Sequence, residues 1–254
     1  MYNFREVTLL ITHYNRSNSL ERLLTTFNDL HCRFSDIVVS DDCSIAPHID
    51  KLNALKEKYG FKLITTPSNR GLGNNLNKGQ DAVSTPYTLY VQEDFVPSLV
   101  FPGKFERALE FMNNKTDLDI VRFHAYFKYP FLKTLSDGFA EMIFNPWPWK
   151  GYLKFYYYSD HPHLRRSNFF SKFGRYAEGK HGDVTEYMMM MSFLKKHGRG
   201  LFYENFRELF AQVNTSDEPT TMKRNVLRES NNFFIKHVRN FYRYIKFNFD
   251  LHAN

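Results

Sequence analysis

Cysteine is scarce in this chain of 254 residues, and its two thiols, Cys32 and Cys43, cannot build a disulfide framework. Neither has the paired spacing of a thiolate metal site, and a reducing, cytoplasmic setting fits best. Long apolar runs are also lacking. No stretch approaches the roughly 20 residues of a membrane span. The run Val7 to Ile11 is too short for the core of a secretory signal and leads directly into Thr12, His13 and Asn15. Two nucleotide motifs are missing as well. There is no GK[ST] loop, and Gly71-Leu72-Gly73 continues as Asn74-Asn75-Leu76 without the third glycine of a dinucleotide fingerprint. P-loop and dehydrogenase chemistry are thereby set aside. The chain has no internal repeat.

What is present points to a globular protein. At 43% hydrophobic, the chain can bury a sizeable core as one large domain or two small ones. The formal net charge is +7, concentrated at one end. From residue 219 to 254, seven Lys or Arg face only Glu229 and Asp250, so this tail carries +5 and the body is nearly neutral. Nucleic acid is not the expected partner of such a chain. A local anionic surface is.

Apolar strand-like runs alternate with helix-period segments through the first half, the pattern of a parallel sheet with crossover helices and an α/β fold. The strands fall at Val7 to Thr12, Ile37 to Ser40, Phe61 to Thr65, Tyr87 to Gln92 and Asp119 to Phe123. The face made by Leu20, Leu23, Leu24, Phe27 and Leu30 predicts a helix, with Asn18 and Glu21 as its capping box. Further helices fit Ile49 to Lys58, Leu72 to Val83 and Gly103 to Asn113. The second half loses this rhythm until a helix over Val184 to His197. Asn214 to Thr220 reads as a polar linker. The expected organisation is a domain over 1–215, with halves 1–100 and 101–215, and a basic, aromatic helical tail over 216–254.

In such a sheet, ligands bind beyond the carboxyl ends of the strands. The first strand runs into Thr12-His13-Tyr14-Asn15-Arg16, the second into Asp41-Asp42-Cys43-Ser44, and the third into Pro67-Ser68-Asn69-Arg70-Gly71. Each alone is ordinary turn chemistry. The fourth, YTLYVQEDF, stops on Gln92, Glu93 and Asp94. Two acids at the end of a buried strand are costly unless a cation or a hydrogen-bonded ligand meets them, which predicts a metal and phosphate site.

The ordered set VTLLITHYNR, DIVVSDDCS, NRGLGNNLNKG and YVQEDF resembles the nucleotide-binding half of family 2 glycosyltransferases with the A-type fold, clearly over residues 6 to 100 and loosely to about 200. The resemblance implies a Rossmann-like, mostly parallel sheet flanked by helices. It also implies that Thr12 and Asp42 contact the nucleotide base, with Asp41, Tyr14 and Asn15 nearby and Asn69, Arg70 and Gly73 lining the nucleotide pocket. Asp94 matches the acid of the DxD signature that holds Mn²⁺ or Mg²⁺. Gln92 stands where that signature has its first acid, so Gln92 and Glu93 are expected beside the donor sugar. The family places its general base at the start of a helix in the acceptor half. HGDVTEYMMMM, residues 181 to 191, offers Asp183 and Glu186 there, either as catalytic base or as an N-cap with its capping-box partner. Glu186 is the favoured base and Asp183 the alternative.

His161 and His163 in Ser159-Asp160-His161-Pro162-His163 are candidates for substrate and metal contact respectively, or for loop hydrogen bonds. The aromatic block over 145 to 158, with Trp147 and Trp149, either fills a core or lines an acceptor cleft. The implied reaction is metal-dependent, inverting transfer from a nucleoside diphosphate sugar, a UDP-sugar by preference, to a glycan or lipid-linked acceptor in bacterial surface polysaccharide synthesis. Two rivals are a sugar-1-phosphate nucleotidyltransferase, which would need a glycine- and base-rich loop where THYNRSNS stands, and a non-catalytic sugar-nucleotide or membrane-surface binding module, suggested by Gln92. In the tail, Phe233, Phe234, Ile235, Val238, Phe241, Tyr242, Ile245 and Phe249 recur at near-helical spacing among basic residues. That pattern suits packing on the domain, a homodimer contact, or a helix lying on an anionic membrane at its inner face.

Overall fold

In a computed structural model describing residues 1–147, 151–219 and 233–253, with side chains of the last helix described from 237 onward, the sheet grows outward from β1 (Tyr2–His13). Val7, Leu9, Leu10 and Ile11 are fully buried. Their continuous apolar run fits a parallel strand covered on both faces, where an alternating pattern would leave one face wet. Helix α1 (Ser17–Asp29) leads to β2 (Cys32–Asp41), α2 (Ala46–Tyr59) to β3 (Lys62–Ile64), and α3 (Gly71–Asp81) to β4 (Tyr87–Gln92). Then come β5 (Phe95–Pro97), α4 (Phe101–Asn114), β6 (Ile120–Arg122), β7 (Leu132–Thr134), β8 (Phe139–Met142), a 3₁₀ turn (Leu153–Phe155) and β9 (His163–Arg166). The order closes with α5 (Phe169–Phe173), α6 (Gly182–Lys195), β10 (Gly200–Tyr203), β11 (Phe210–Gln212) and α7 (Phe233–His252).

Among the described residues the main sheet has nine strands in the order β3-β2-β1-β4-β9-β6-β10-β8-β7, and β11 pairs with β5 beside it. Strands β1 to β4 are parallel, whereas β9 runs antiparallel between β4 and β6. The pleat sends Leu9, Ile11 and Val39 to a core with Leu20, Leu23, Phe101 and Phe105. It sends Leu10, Val38 and Tyr90 to a second core with Leu76, Phe169, Phe173 and Met189 to Met191. The polar strand ends of β1, β2 and β4 therefore emerge together between these layers.

Three expectations change. The expected capping box on α1 is not formed. Asn18 lies inside the helix, Glu21 pairs with Lys51, and Glu218, 2% exposed, takes the cap from far along the chain. Its carboxylate accepts hydrogen bonds from the backbone N–H groups of Asn18 and Ser19, both 2.8 Å, and from the Ser19 hydroxyl at 2.7 Å. The second change follows from this, because the expected linker is bound to the domain through Glu218 and Asn214. Third, the aromatic block fills the second core. Phe155, Tyr157 and Tyr158 are buried, Trp147 is 62% exposed, and Trp149 lies outside the described residues.

Glu218→Ala should lower unfolding stability by about 1–2 kcal/mol, since it leaves helix N–H groups without their acceptor. Burial opposes ionisation of Glu218, but the bonds from Ser19 and Asn18 outweigh it and hold its carboxyl below the ordinary value. A depressed carboxyl pKa contributes stability above the unfolded value and loses it as pH falls through the folded one. Urea melts at neutral and acid pH check this: the gap between wild type and variant should shrink on acidification.

Candidate active site

A cleft of about 490 Å³ opens at the carboxyl ends of β1, β2 and β4 and reaches the first turn of α6. Of the residues expected at a site, Thr12, Tyr14, Asp42, Asn69, Gln92, Glu93, Asp94, His161, Asp183 and Glu186 line it. Residues as far apart in the chain as Thr12 and Gln212 thus line one cleft. Pairing of Thr12 with Gln92 in adjacent parallel strands sets one side of the cleft, and Thr12 is further held by the Tyr90 hydroxyl at 3.0 Å.

Asp42 builds the cleft as well as lining it. Its two carboxylate oxygens accept the backbone N–H groups of Arg70 (2.8 Å) and Gly71 (2.7 Å), so it caps α3. Several expected contacts instead support the wall from behind. Asp41 is buried, accepting from the Ser44 backbone N–H at 2.9 Å and lying 2.8 Å from His13 Nδ1. Burial pushes its carboxyl up, but these partners win and hold it low. Asn15, at φ 53°, accepts the Ile45 backbone N–H on its side-chain oxygen and donates its own backbone N–H to the Ser44 hydroxyl oxygen, tying two loops together. Arg70 turns to Glu178. Gly73 is a packing position, because a Cβ there would lie 2.2 Å from the Ala177 carbonyl oxygen. His163 is a correction of a different kind. It is wholly buried between Tyr90 and Tyr158, its Nδ1 is 2.7 Å from the His161 carbonyl, and it does not reach the cleft. Burial drives its pKa well down, keeping it neutral.

The acids at the strand end are unusually placed. Glu93 and Asp94 are both buried. Burial first, then the neighbouring Asp94 charge, push Glu93 up to about 8, against the opposing pull of Arg16. Arg16 Nη1 stands 3.1 Å from Asp94 and 3.6 Å from Glu93, while its Nη2 donates to Asn214 at 2.6 Å. Gln212 donates to Asp94 Oδ2 at 2.9 Å, yet Asp94 Oδ1 is buried with no hydrogen-bond partner. A carboxylate oxygen in that state is costly unless a cation or a donor meets it.

At the far wall Glu186 makes no capping box. Its Oε1 accepts the Asp160 backbone N–H at 3.0 Å, and His181, outside the helix, is the residue before the first turn. Burial and the Asp160 carboxylate raise Glu186 to about 8. Asp160 is a cleft residue that sequence reasoning passed over, hidden in the histidine cluster. It is buried in the cleft wall and accepts from the hydroxyls of Tyr158 and Tyr176, both 3.0 Å, while its Oδ2 has no partner. Burial raises it to about 6, with those hydroxyls and Arg165 opposing. Arg16, Tyr126 and Gln212 also line the cleft. Gln212 carried no signal, since a lone glutamine near the end of a strand has no periodicity to mark it.

A mixed sheet of this order, with its acidic cleft at the parallel strand ends, defines a glycosyltransferase of the A-type fold. The model of the glycosyl transferase family 2 matches residues 8–194, well over half of the chain, and the chain belongs to that family. Sequence comparison alone finds no match among curated proteins. Among solved structures, S. aureus TarS 1-349 in complex with UDP-GlcNAc superposes with a TM-score of 0.62 at 14% identity, covering 98% of this chain and 76% of that one. TarS 1-349 without a named ligand gives 0.62 at 12% identity, over 97% and 72%. Mannosyltransferase PcManGT from Pyrobaculum calidifontis, in complex with GDP-Man and Mn²⁺, gives 0.57 at 12% identity, over 95% of this chain and 63% of that one. At these identities the likeness is one of fold.

Proposed function

We propose that this glycosyltransferase takes its sugar from a nucleoside diphosphate donor, a UDP-sugar by preference, and passes it with inversion to a hydroxyl of a glycan or lipid-linked glycan in surface polysaccharide synthesis. The observation that carries this reading is that Asp94, the nucleotide-side residues Thr12 and Asp42, and the α6 carboxylates Asp183 and Glu186 share one cleft. Solved neighbours bound to UDP-GlcNAc and to GDP-Man support the donor class.

The nucleotide lies along Thr12, Tyr14, Asp42 and Asn69, with Gln92 and Glu93 beside the donor sugar and His161 and Tyr126 on the acceptor side. Glu186 takes the proton of the acceptor hydroxyl as its oxygen attacks the anomeric carbon, and the nucleoside diphosphate departs with the bonding electrons. A buried carboxylate with a raised pKa is a stronger base than a solvated one, which suits an alcohol proton. Asp183, one turn earlier on the same cleft wall, is the alternative base.

The cleft also fits a divalent cation. An anionic diphosphate would meet the Asp94 carboxylate, whose Oδ1 is buried and without a hydrogen-bond partner, and a divalent cation between the two would join them. Among the described residues no three His, Cys, Asp or Glu converge on an ion, so Asp94 would hold Mn²⁺ or Mg²⁺ jointly with diphosphate oxygens and water. The ion would offset the charge gathering on the departing diphosphate.

The test is nucleotide release from a panel of UDP- and GDP-sugars with and without Mn²⁺. Release from no donor under either condition would overturn the reading. A second measurement concerns pH. Asp160→Asn removes the negative neighbour that helps raise Glu186, so the alkaline rise in rate should move to lower pH. A rise at unchanged pH would separate Asp160 from the base.

A further inference from the structure

Helix α7 is docked on one side and bare on the other. Phe247 is buried against Phe155, Tyr152, Tyr156 and Tyr187, and Leu251 packs beside it. The Tyr187 hydroxyl and the Lys246 ammonium both meet the Asp250 carboxylate, fastening the helix to α6. At 3.6 residues per turn, Val238, Phe241, Tyr242, Ile245 and Phe249 fall together on the opposite side. Each is 52 to 70% exposed. Scattered exposed apolar residues are ordinary, but five large ones aligned on one helix face are a surface built to be covered.

We propose that this face docks on an anionic lipid bilayer, with α7 lying in the plane of the interface. Aromatic and branched side chains can enter the headgroup boundary while Arg239 and Arg243 run along one flank of the stripe. Charge decides between lipid and a second copy of the chain. Residues 219–254 carry +5, so pairing two tails would bring like charges together, whereas an anionic leaflet attracts them. No described helix is long and apolar enough to cross a membrane, so the contact is peripheral. Because α7 is fastened to α6 at Tyr187, next to Glu186, docking would hold the cleft close to the bilayer. This inference stands apart from the reaction proposed above.

The full chain is to be floated at low salt with phosphatidylcholine vesicles containing phosphatidylglycerol, and with phosphatidylcholine alone. It should rise with the first, stay down with the second, and detach as salt increases. F241S/F249S changes only exposed side chains, and the vesicle-bound fraction should fall about tenfold or more with an unchanged thermal melt. V238S/I245S should repeat that loss independently. Wild type that ignores anionic vesicles would overturn the proposal. So would double variants that float undiminished, or light scattering showing a wild-type dimer that the substitutions reduce to a monomer.

Discussion

Glu186→Gln should retain donor binding and lose about 10² to 10⁴ in transfer rate, the usual cost of removing a general base. The amide keeps the shape of the side chain, and its carbonyl oxygen can still accept the Asp160 N–H that now holds Oε1. What it cannot do is take a proton from an alcohol. The pH dependence makes the assignment sharper. With Glu186 raised to about 8, chiefly by burial, most of it is protonated at neutral pH, and wild-type rate should climb as pH rises through that value. In Glu186→Gln this climb should vanish along with the rate. Calorimetry of UDP binding, paired with a nucleotide-release assay, measures both quantities. Near-wild-type turnover in Glu186→Gln, with loss in Asp183→Asn, would move the base to Asp183.

The second large effect is expected at Asp94. Asp94→Ala should weaken Mn²⁺-dependent UDP binding by more than about 10- to 100-fold, because altering residues behind a metal ligand already costs that much. The fold should survive, since Arg16 keeps Glu93, Asn214 and the Glu218 carbonyl oxygen as partners. Titrating Mn²⁺ against UDP affinity in both proteins checks it. Equal Mn²⁺ dependence in the two would remove Asp94 from any role in holding the ion.

Features that depend on neighbours in sequence were readable before the structure. Strand β4 runs from Tyr87 to Gln92 as the apolar run predicts, and α1 to α4 follow the 3.6-residue periodicity to within a few residues. The order of polar strand ends foretold that Thr12, Asp42, Asn69 and Glu93 would meet in one cleft, because parallel strands with crossover helices put those ends on one edge. Local capping rules misled. Asn18 and Glu21 have the right spacing, but a carboxylate from residue 218 binds the same N–H groups. The aromatic block shows a different limit. Composition says that Phe155, Tyr157 and Tyr158 want burial or a ligand, and only packing against α5 and α6 decides for burial. His163 was indistinguishable from His161 by sequence. His163 opens β9 and packs inward between Tyr90 and Tyr158, whereas His161 lies ahead of the strand and opens on the cleft.

The clasp of Glu218 on α1 has a consequence for how the protein is made. Ser19 and its acceptor are separated by 199 residues, so the turn that carries Arg16 into the cleft leaves the ribosome long before its cap exists. At roughly 10 residues per second, the wait is about 20 seconds, far longer than a helix or a hydrophobic core needs to form. A nascent chain ending before residue 214 would present α1 uncapped and Arg16 without Asn214, with Asp94 and Glu93 competing for it unbraced. The proposed donor binding would thereby wait for the synthesis of Glu218: nascent chains stalled at successive lengths should acquire UDP affinity abruptly as Glu218 emerges.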